Sequence, residues 1–128
     1  MSFIEYETWT IKDGVQEDHD EMIRKWFGFV RDHHESLFPE WKSARYYRFV
    51  KQNGTPTGRY LMLFEFFSRE GLLAYKERRK NWDGPYEEYK EYDPYQYFNV
   101  DQVTTEYWEP LETDSWLDFS NKESDNHG

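Results

Sequence analysis

Residues 61–67 form an almost unbroken apolar run, and this run constrains the fold of the 128-residue chain more than any other segment. Alternate side chains of a β-strand point to opposite faces of a sheet, so both faces of this strand are apolar. Only Glu65 interrupts the run. The segment therefore predicts a central strand that other layers of protein cover on both faces. Its apolar members are Leu61, Met62, Leu63, Phe64, Phe66 and Phe67.

The hydrophobic pattern elsewhere predicts three more strands and two helices. Runs of β-branched and aromatic residues predict strands over 3–12, 43–52 and 100–108, and the second of these forms a hairpin with 59–67 around the loop 53–58. Apolar residues recur every three or four positions over 15–35, which predicts a helix. Ser68 is placed to cap a second helix, which the sequence Asp83-Gly84-Pro85 ends.

This βαββαβ order predicts a ferredoxin-like α+β domain, with a four-stranded antiparallel sheet, strands one and three at its centre and both helices on one face. The length is that of one domain, which we place over residues 1–112. Residues 113–128 are acidic and polar apart from Trp116, Leu117 and Phe119, and they predict a largely disordered tail that is mobile from about residue 121. The alternative is a terminal strand or docking arm over 116–119.

Charge and composition exclude several classes of partner. The formal net charge is -10 and the isoelectric point about 4.8, so the chain repels the backbones of nucleic acids and anionic membrane surfaces. It has no cysteine, which excludes disulfides and a thiolate nucleophile. Neither a signal-peptide pattern nor a run long enough for a membrane helix is present in the sequence. We therefore expect a cytoplasmic protein that binds neither nucleic acid nor membranes.

The second face of the predicted sheet requires its own cover, because two helices protect only one face. The same sheet of a second subunit is the usual symmetric solution. We therefore expect a homodimer that buries the face carrying Trp9 and Leu63. The alternative is that the C-terminal tail folds back over this face.

Three short stretches resemble a known group of proteins. Residues 5–14 (EYETWTIKDG), 63–68 (LFEFFS) and 85–89 (PYEEY) are similar to the NIPSNAP-type domain of the dimeric α+β barrel proteins, and the resemblance covers residues 3–111. It implies two sheets that enclose a barrel with the helices outside, a fold shared with the monooxygenase-like and EthD-like families. Relatives of this fold handle aromatic polyketides, lactones and haem, which implies a small hydrophobic or aromatic ligand.

Three carboxylates are the main candidates for chemistry. Side-chain alternation places Glu5 and Glu7 on the Trp9 face of the first strand, and Glu65 breaks the apolar third strand. If the strands pair accordingly, all three share one face, where burial raises a carboxyl pKa. Glu65 is then a catalytic general base or a ligand anchor. The alternative is a structural ion pair with one of the hairpin arginines, Arg45, Arg48 or Arg59.

The histidines and aromatic residues supply the other candidates. His33 is a candidate general acid or base near the apolar stripe of the first helix, the alternative being a satisfied interior histidine. His33 and His34 point roughly 100° apart on a helix, so we expect no metal site. The tyrosines over 86–97 predict core and interface packing, or a pocket mouth. The predicted ligand-binding residues are Glu5, Glu7, Trp9, Arg48, Leu63 and Tyr86.

Two functions remain open at this point. One is a small-molecule binding protein or cofactor-independent enzyme with an aromatic pocket between sheet and helices. The other is a non-catalytic interaction or scaffold module whose barrel is filled by side chains. No glycine-rich phosphate loop occurs, and we expect no bound cofactor. An open cavity distinguishes the first function from the second.

Overall fold

The protein is described here by a computed structural model, which covers residues 2–81, 84–111 and 115–120. Its sheet has four strands in the order β2-β3-β1-β4, and every neighbouring pair is antiparallel. The first and third strands are central, as predicted. The elements are β1 (Phe3–Thr10), α1 (Gln16–Asp32), α2 (His34–Leu37), β2 (Trp41–Val50), β3 (Pro56–Phe66), α3 (Arg69–Arg79) and β4 (Thr104–Trp108).

Four short 3-10 turns connect α3 to β4, and we call this stretch the 3-10 segment. Its turns cover Gly84–Tyr86, Glu88–Glu91, Pro94–Tyr97 and Val100–Gln102. Backbone hydrogen bonds tie it to the end of β1, because the Asn99 N–H donates to the Thr10 carbonyl at 2.9 Å and the Lys12 N–H to the Tyr97 carbonyl at 2.9 Å. The segment therefore crosses the end of the sheet at a fixed place.

Three predicted boundaries differ from the structure. The first helix ends at Asp32, where the His33 ring Nδ1 donates to the Phe29 carbonyl at 2.9 Å, and α2 then begins separately at His34. The fourth strand starts at Thr104 because residues before it form a 3-10 turn. The hairpin loop is shorter than predicted, since β3 already includes Gly58, whose φ of +83° accommodates a bulge.

The register between β1 and β3 divides the sheet into two faces. Glu5 pairs with Phe64 and Trp9 with Tyr60 on the face that packs against the helices. Ile4 pairs with Glu65 on the opposite face. The prediction that Glu65 shares a face with Glu5 and Glu7 is therefore wrong, because odd-numbered residues of β1 lie beside even-numbered residues of β3.

The same register corrects the predicted dimer face. Leu63 pairs with Tyr6 on the face away from the helices, whereas Trp9 is only 3% exposed in the core. Trp9 and Leu63 therefore lie on opposite faces and cannot both belong to one interface. We call the side away from the helices the open face. Its large side chains are Ile4, Tyr6, Tyr47, Leu61, Leu63 and Trp108.

The core between the sheet and the helices is built mainly from aromatic rings. Trp9 stacks on Phe98 with 4.1 Å between ring centroids, and Trp41 packs against Phe38 at 4.4 Å. Most polar atoms on the buried rings are paired inside the core, as for the Tyr86 hydroxyl, which donates to the Leu37 carbonyl at 2.9 Å. Such rings supply large buried areas, while their hydroxyl and N–H groups also restrict how they pack.

The described chain includes no helix that is long and apolar enough to cross a membrane. Residues 82–83, 112–114 and 121–128 lie outside the described residues, so the disordered tail remains a prediction. In the segment 115–120 the large apolar side chains are exposed, with Trp116 at 72% and Phe119 at 66%.

The start of α3 provides a direct test of the sequence-based capping prediction. Ser68 has extended backbone geometry, and its hydroxyl oxygen accepts a hydrogen bond from the Gly71 N–H at 3.0 Å. We expect Ser68→Ala to lower the free energy of unfolding by about 1 kcal/mol, because one N–H at the helix start loses its acceptor. Urea denaturation measures the change, and Ser68→Thr, which retains an acceptor, is the matched control. Equal stability of Ser68→Ala and the wild type would contradict the role of the cap.

Candidate functional site

A cavity of about 450 Å³ lies between the sheet and the helices. Its volume is within the range of small-molecule sites in proteins. Its floor is the helix-facing side of β1 and β3, and the 3-10 segment closes one side. The main aromatic side chains of its wall are Trp9, Trp26, Trp41, Phe64, Tyr75 and Tyr92. Its principal polar side chains are Glu5, Glu7, Arg79, Lys90, Asp93 and Tyr95.

The alternation of β1 places two carboxylates and an indole in one row. Glu5, Glu7 and Trp9 are spaced by two residues, so their side chains project from the same face of the strand. All three line the cavity. The pattern Glu-x-Glu-x-Trp therefore delivers acidic and aromatic groups together to the cavity floor.

Glu7 is the acid whose surroundings suit proton transfer. Burial raises the pKa of its carboxyl group above the ordinary value, and the nearby Glu5 carboxylate acts in the same direction. The Tyr95 hydroxyl donates a hydrogen bond to Glu7 Oε2 at 2.8 Å, which partly opposes this rise. Burial also raises the pKa of Tyr95, so its hydroxyl keeps the proton that it donates. A carboxyl with a raised pKa is a stronger base than an exposed one.

Glu5 is held by a lysine of α3. Its Oε2 atom lies 2.6 Å from Lys76 Nζ, and the contact is an ion pair rather than a well-aligned hydrogen bond. Lys76 also donates to the Tyr107 hydroxyl at 3.1 Å, which joins α3 to β1 and β4. Although burial opposes it, the contact with Glu5 raises the pKa of Lys76. Glu5 therefore carries a compensated negative charge at the cavity edge.

Arg79 brings a positive charge to the aromatic wall. Its guanidinium carbon lies 5.8 Å from the ring centroids of both Tyr75 and Tyr89. A guanidinium at this distance from aromatic faces is attracted to them. The positive charge lowers the pKa of Glu7, as the Tyr95 hydrogen bond does. Arg79 is thus placed to stabilise negative charge that develops inside the cavity.

A buried histidine holds the indole of Trp9 through a tyrosine. Trp9 Nε1 donates to the Tyr46 hydroxyl at 2.8 Å, and this hydroxyl lies 2.8 Å from His19 Nε2. His19 Nδ1 is 2.9 Å from Asp20 Oδ1, and the histidine is only 1% exposed. An indole N–H only donates, so the Tyr46 proton is available to the histidine. This series of hydrogen bonds, from Asp20 through His19 and Tyr46 to Trp9, holds one wall of the cavity in place.

Three of the predicted ligand-binding residues line the cavity. Glu5, Glu7 and Trp9 meet there, and the tyrosine series contributes Tyr89 and Tyr95 to the lining. The predicted pocket between sheet and helices therefore exists. His19 was not among the predicted site residues, although the sequence contains a signal for it: His19 precedes the buried Ile23 and Trp26 at helical spacing.

The two predicted catalytic residues lie outside this cavity. Glu65 is on the open face, where Ser2 and Ser43 donate to it at 2.5 Å and 3.0 Å. The hydrogen bond from Ser2 holds the pKa of Glu65 below its ordinary value. His33 stacks on the Phe29 ring at 4.1 Å. Neither residue contributes to the cavity lining.

The structure also separates the remaining ligand candidates from the cavity. Arg48 is exposed on β2, and Leu63 lies on the open face. Tyr86 is fully buried and bonded to α2, so it supports the core and does not line the cavity. Within the described ranges, no group of three or more His, Cys, Asp or Glu side chains is arranged to hold a metal ion.

Comparison with known proteins identifies the fold of the chain. No family profile matches the sequence, and no curated protein matches it significantly. Solved structures do match: a NIPSNAP family protein from Agrobacterium tumefaciens has 12% identity and a TM-score of 0.56, covering 88% of this chain and 96% of the other. SnoaB, a cofactor-independent oxygenase from Streptomyces nogalater, has 8% identity and a TM-score of 0.55, with 88% and 95% covered.

A third similar structure is a dimeric ferredoxin-like protein of unknown function from Thermobifida fusca, with 12% identity, a TM-score of 0.56 and coverage of 86% and 92%. At such identities the likeness shows the fold alone. The chain is a ferredoxin-like α+β domain. This confirms the fold that the sequence predicted.

The opposite pKa directions of Glu7 and Glu65 give a paired prediction. The pKa of Glu7 is higher in the folded protein than in the unfolded chain. The free energy of unfolding of the wild type therefore falls relative to that of Glu7→Gln as pH rises above about 4.3. The pKa of Glu65 is lower in the folded protein than in the unfolded chain. The free energy of unfolding of the wild type therefore rises relative to that of Glu65→Gln as pH rises toward about 4.3.

Urea denaturation of the three proteins across a pH series measures both effects. The two differences in the free energy of unfolding should change with pH in opposite directions. A common direction for both variants would show that the two carboxyl groups do not have the environments described here.

Proposed function

We propose that this protein binds a small hydrophobic or aromatic molecule in the cavity, and that Glu7 is the proton acceptor of a cofactor-independent reaction there. The observation that carries the proposal is the position of Glu7, a carboxyl of raised pKa inside an aromatic-lined cavity of about 450 Å³. Because burial raises the pKa of its carboxyl group, Glu7 is a stronger base than an exposed glutamate.

The arrangement of charges supports proton transfer in a definite direction. A hydroxyl or an acidic C–H group of the ligand gives its proton to a Glu7 oxygen, and the electron pair stays on the ligand as an anion. Arg79, which lies between Tyr75 and Tyr89, supplies the positive charge that stabilises this anion. The similarity to SnoaB, a cofactor-independent oxygenase, supports chemistry without a bound cofactor but names no reaction for this chain.

We also propose that the protein forms a homodimer through the open face. This face carries exposed aromatic residues, with Tyr47 at 48% and Trp108 at 55%, while the helices pack on the other side. Exposed apolar patches of this kind mark contact surfaces. The similar protein from Thermobifida fusca is dimeric and ferredoxin-like, which supports pairing of two sheets through this face.

A panel of flavins, haem, quinones and polyketide-like aromatic compounds tests the binding proposal by thermal shift. A ligand at about 100 times its Kd stabilises the fold by about 2.7 kcal/mol, which is readily detected. We expect at least one aromatic compound to raise the melting temperature of the wild type. Glu7→Gln should abolish turnover of that compound, because the amide accepts no proton under these conditions.

Glu65→Gln is the matched control for Glu7→Gln, since it makes the same change on the opposite face of the sheet. It should leave both binding and turnover at the wild-type level. Binding without turnover in the wild type would reduce the proposal to ligand binding. Absence of any stabilising compound would favour the scaffold module.

The homodimer is tested by Leu63→Asp. A charge at the centre of an apolar interface is desolvated without a partner, so we expect the variant to be monomeric. Light scattering at micromolar concentration distinguishes a dimer from the 15.9 kDa of one chain. Leu73→Asp makes the same change at an exposed position of α3 and should leave the dimer intact. A wild type that scatters as a monomer would contradict the proposal.

A further inference from the structure

Charge is distributed unevenly between the two edges of the sheet. Residues 41–64, which form β2, the hairpin loop and most of β3, hold five Lys or Arg side chains and no Asp or Glu, although the chain has a net charge of -10. Residues 100–109, which include β4, hold three acidic side chains and no Lys or Arg. Because the strand order is β2-β3-β1-β4, one edge of the sheet is basic and the other is acidic.

A single row of residues crosses the open face from one edge to the other. Leu63 pairs with Arg45 on β2 and with Tyr6 on β1, and Tyr6 in turn pairs with Glu106 on β4. Residues that are level on neighbouring strands project from the same face of a sheet, so all four side chains belong to the open face. The row therefore has a largely apolar centre, with Arg45 at one end and Glu106 at the other.

Neither end of this row has an opposite charge within its own subunit. Among the described residues, Arg45 and Glu106 take part in no salt bridge, and both are exposed. The Glu106 carboxylate accepts hydrogen bonds from the Tyr6 hydroxyl and, at 3.2 Å, from Trp108 Nε1, which hold it on the open face. A charge that an interface covers without an opposite charge destabilises the complex. A dimer through the open face therefore favours an opposite charge from the second subunit at each end of the row.

Symmetry limits how two copies of this face can meet. A two-fold axis that relates two stacked sheets lies between them, and it runs either across the strands or along them. An axis across the strands places each edge over the same edge of the other copy, so the basic edges would face each other. An axis along the strands exchanges the edges, because it places β2 of one subunit over β4 of its partner. Only the second arrangement brings opposite charges together.

We propose that the two subunits are related by an axis along the strands, between β1 and β3, so that Arg45 pairs with Glu106 of the partner subunit at both ends of the row. This inference rests on the proposed homodimer. Leu63 then lies over Tyr6 of the partner subunit, between the two ion pairs. Stacked sheets are about 10 Å apart, a distance that long Arg and Glu side chains span together. The ion pairs set the relative direction of the subunits, while the apolar centre supplies the buried area.

Charge reversal at the two positions tests this pairing by subunit mixing. Arg45→Glu and Glu106→Arg each place like charges at both ends of the row in a dimer of identical subunits. We therefore expect the dissociation constant of each variant alone to rise at least about tenfold. An equimolar mixture of the two should form a mixed dimer with nearly wild-type affinity, because it contains one native and one reversed ion pair. Native mass spectrometry identifies the mixed dimer, since the two substitutions change the mass in opposite directions.

Two further variants serve as controls. Arg48→Glu makes the same change in β2 at a residue that pairs with Tyr60 on the helix-facing side, and it should dimerise as the wild type does. The double variant Arg45→Glu/Glu106→Arg should form its own dimer but should not mix with the wild type. Circular dichroism verifies that each variant is folded, which we expect because Arg45 and Glu106 are both exposed in the single subunit.

The choice of mixing partner decides between the two axes. If Arg45→Glu mixes more readily with the wild type than with Glu106→Arg, the basic edges face each other and the inference is overturned. Equal mixing with both would also overturn it, while leaving intact the open-face homodimer that Leu63→Asp tests. A wild type that is monomeric under the same conditions would contradict the proposed homodimer itself.

Discussion

The antiparallel pairing of β1 with β3 determines which side chains face the helices and which lie on the open face. Because Glu5 lies beside Phe64 and Ile4 beside Glu65, the two strands present one face to the helices and the other to solvent or a second subunit. A slip of one residue in either strand would exchange the contents of the two faces. The cavity and the open face are therefore two results of a single register, and neither can change without the other.

An aromatic core imposes a second constraint, because most of its large rings carry a polar atom. Most of these atoms are paired within the core, through contacts such as Trp26 with Tyr89 and a hydrogen-bonded series from Asp20 through His19 and Tyr46, whereas the buried Trp41 Nε1 has no partner among the described residues. Each pair fixes a ring in direction as well as in position. Several of these rings line the cavity, so the same pairs also order its wall.

The sequence predicts the fold better than the site for a physical reason. Strand order, the cap at Ser68 and the pocket beneath the sheet follow from local periodicity and turn chemistry. The face of Glu65 does not, since alternation within a strand says nothing about its alignment with a neighbour. Tyr95 was recognised only as one of a series, because the 3-10 segment has no repeating pattern that shows which ring turns inward. His19 could have been identified as a buried residue from the sequence, since it continues the buried stripe of α1.

The hydrogen bond from Tyr95 to Glu7 connects the closing 3-10 segment to the floor of the cavity. This bond stabilises the ionised carboxylate, whereas burial in the cavity destabilises it more, so the pKa of Glu7 is raised overall. By reciprocity, ionisation of Glu7 strengthens the hydrogen bond from Tyr95 and with it the attachment of the 3-10 segment to β1. The protonation state of the buried acid is thus linked to how firmly the side wall of its own cavity is held.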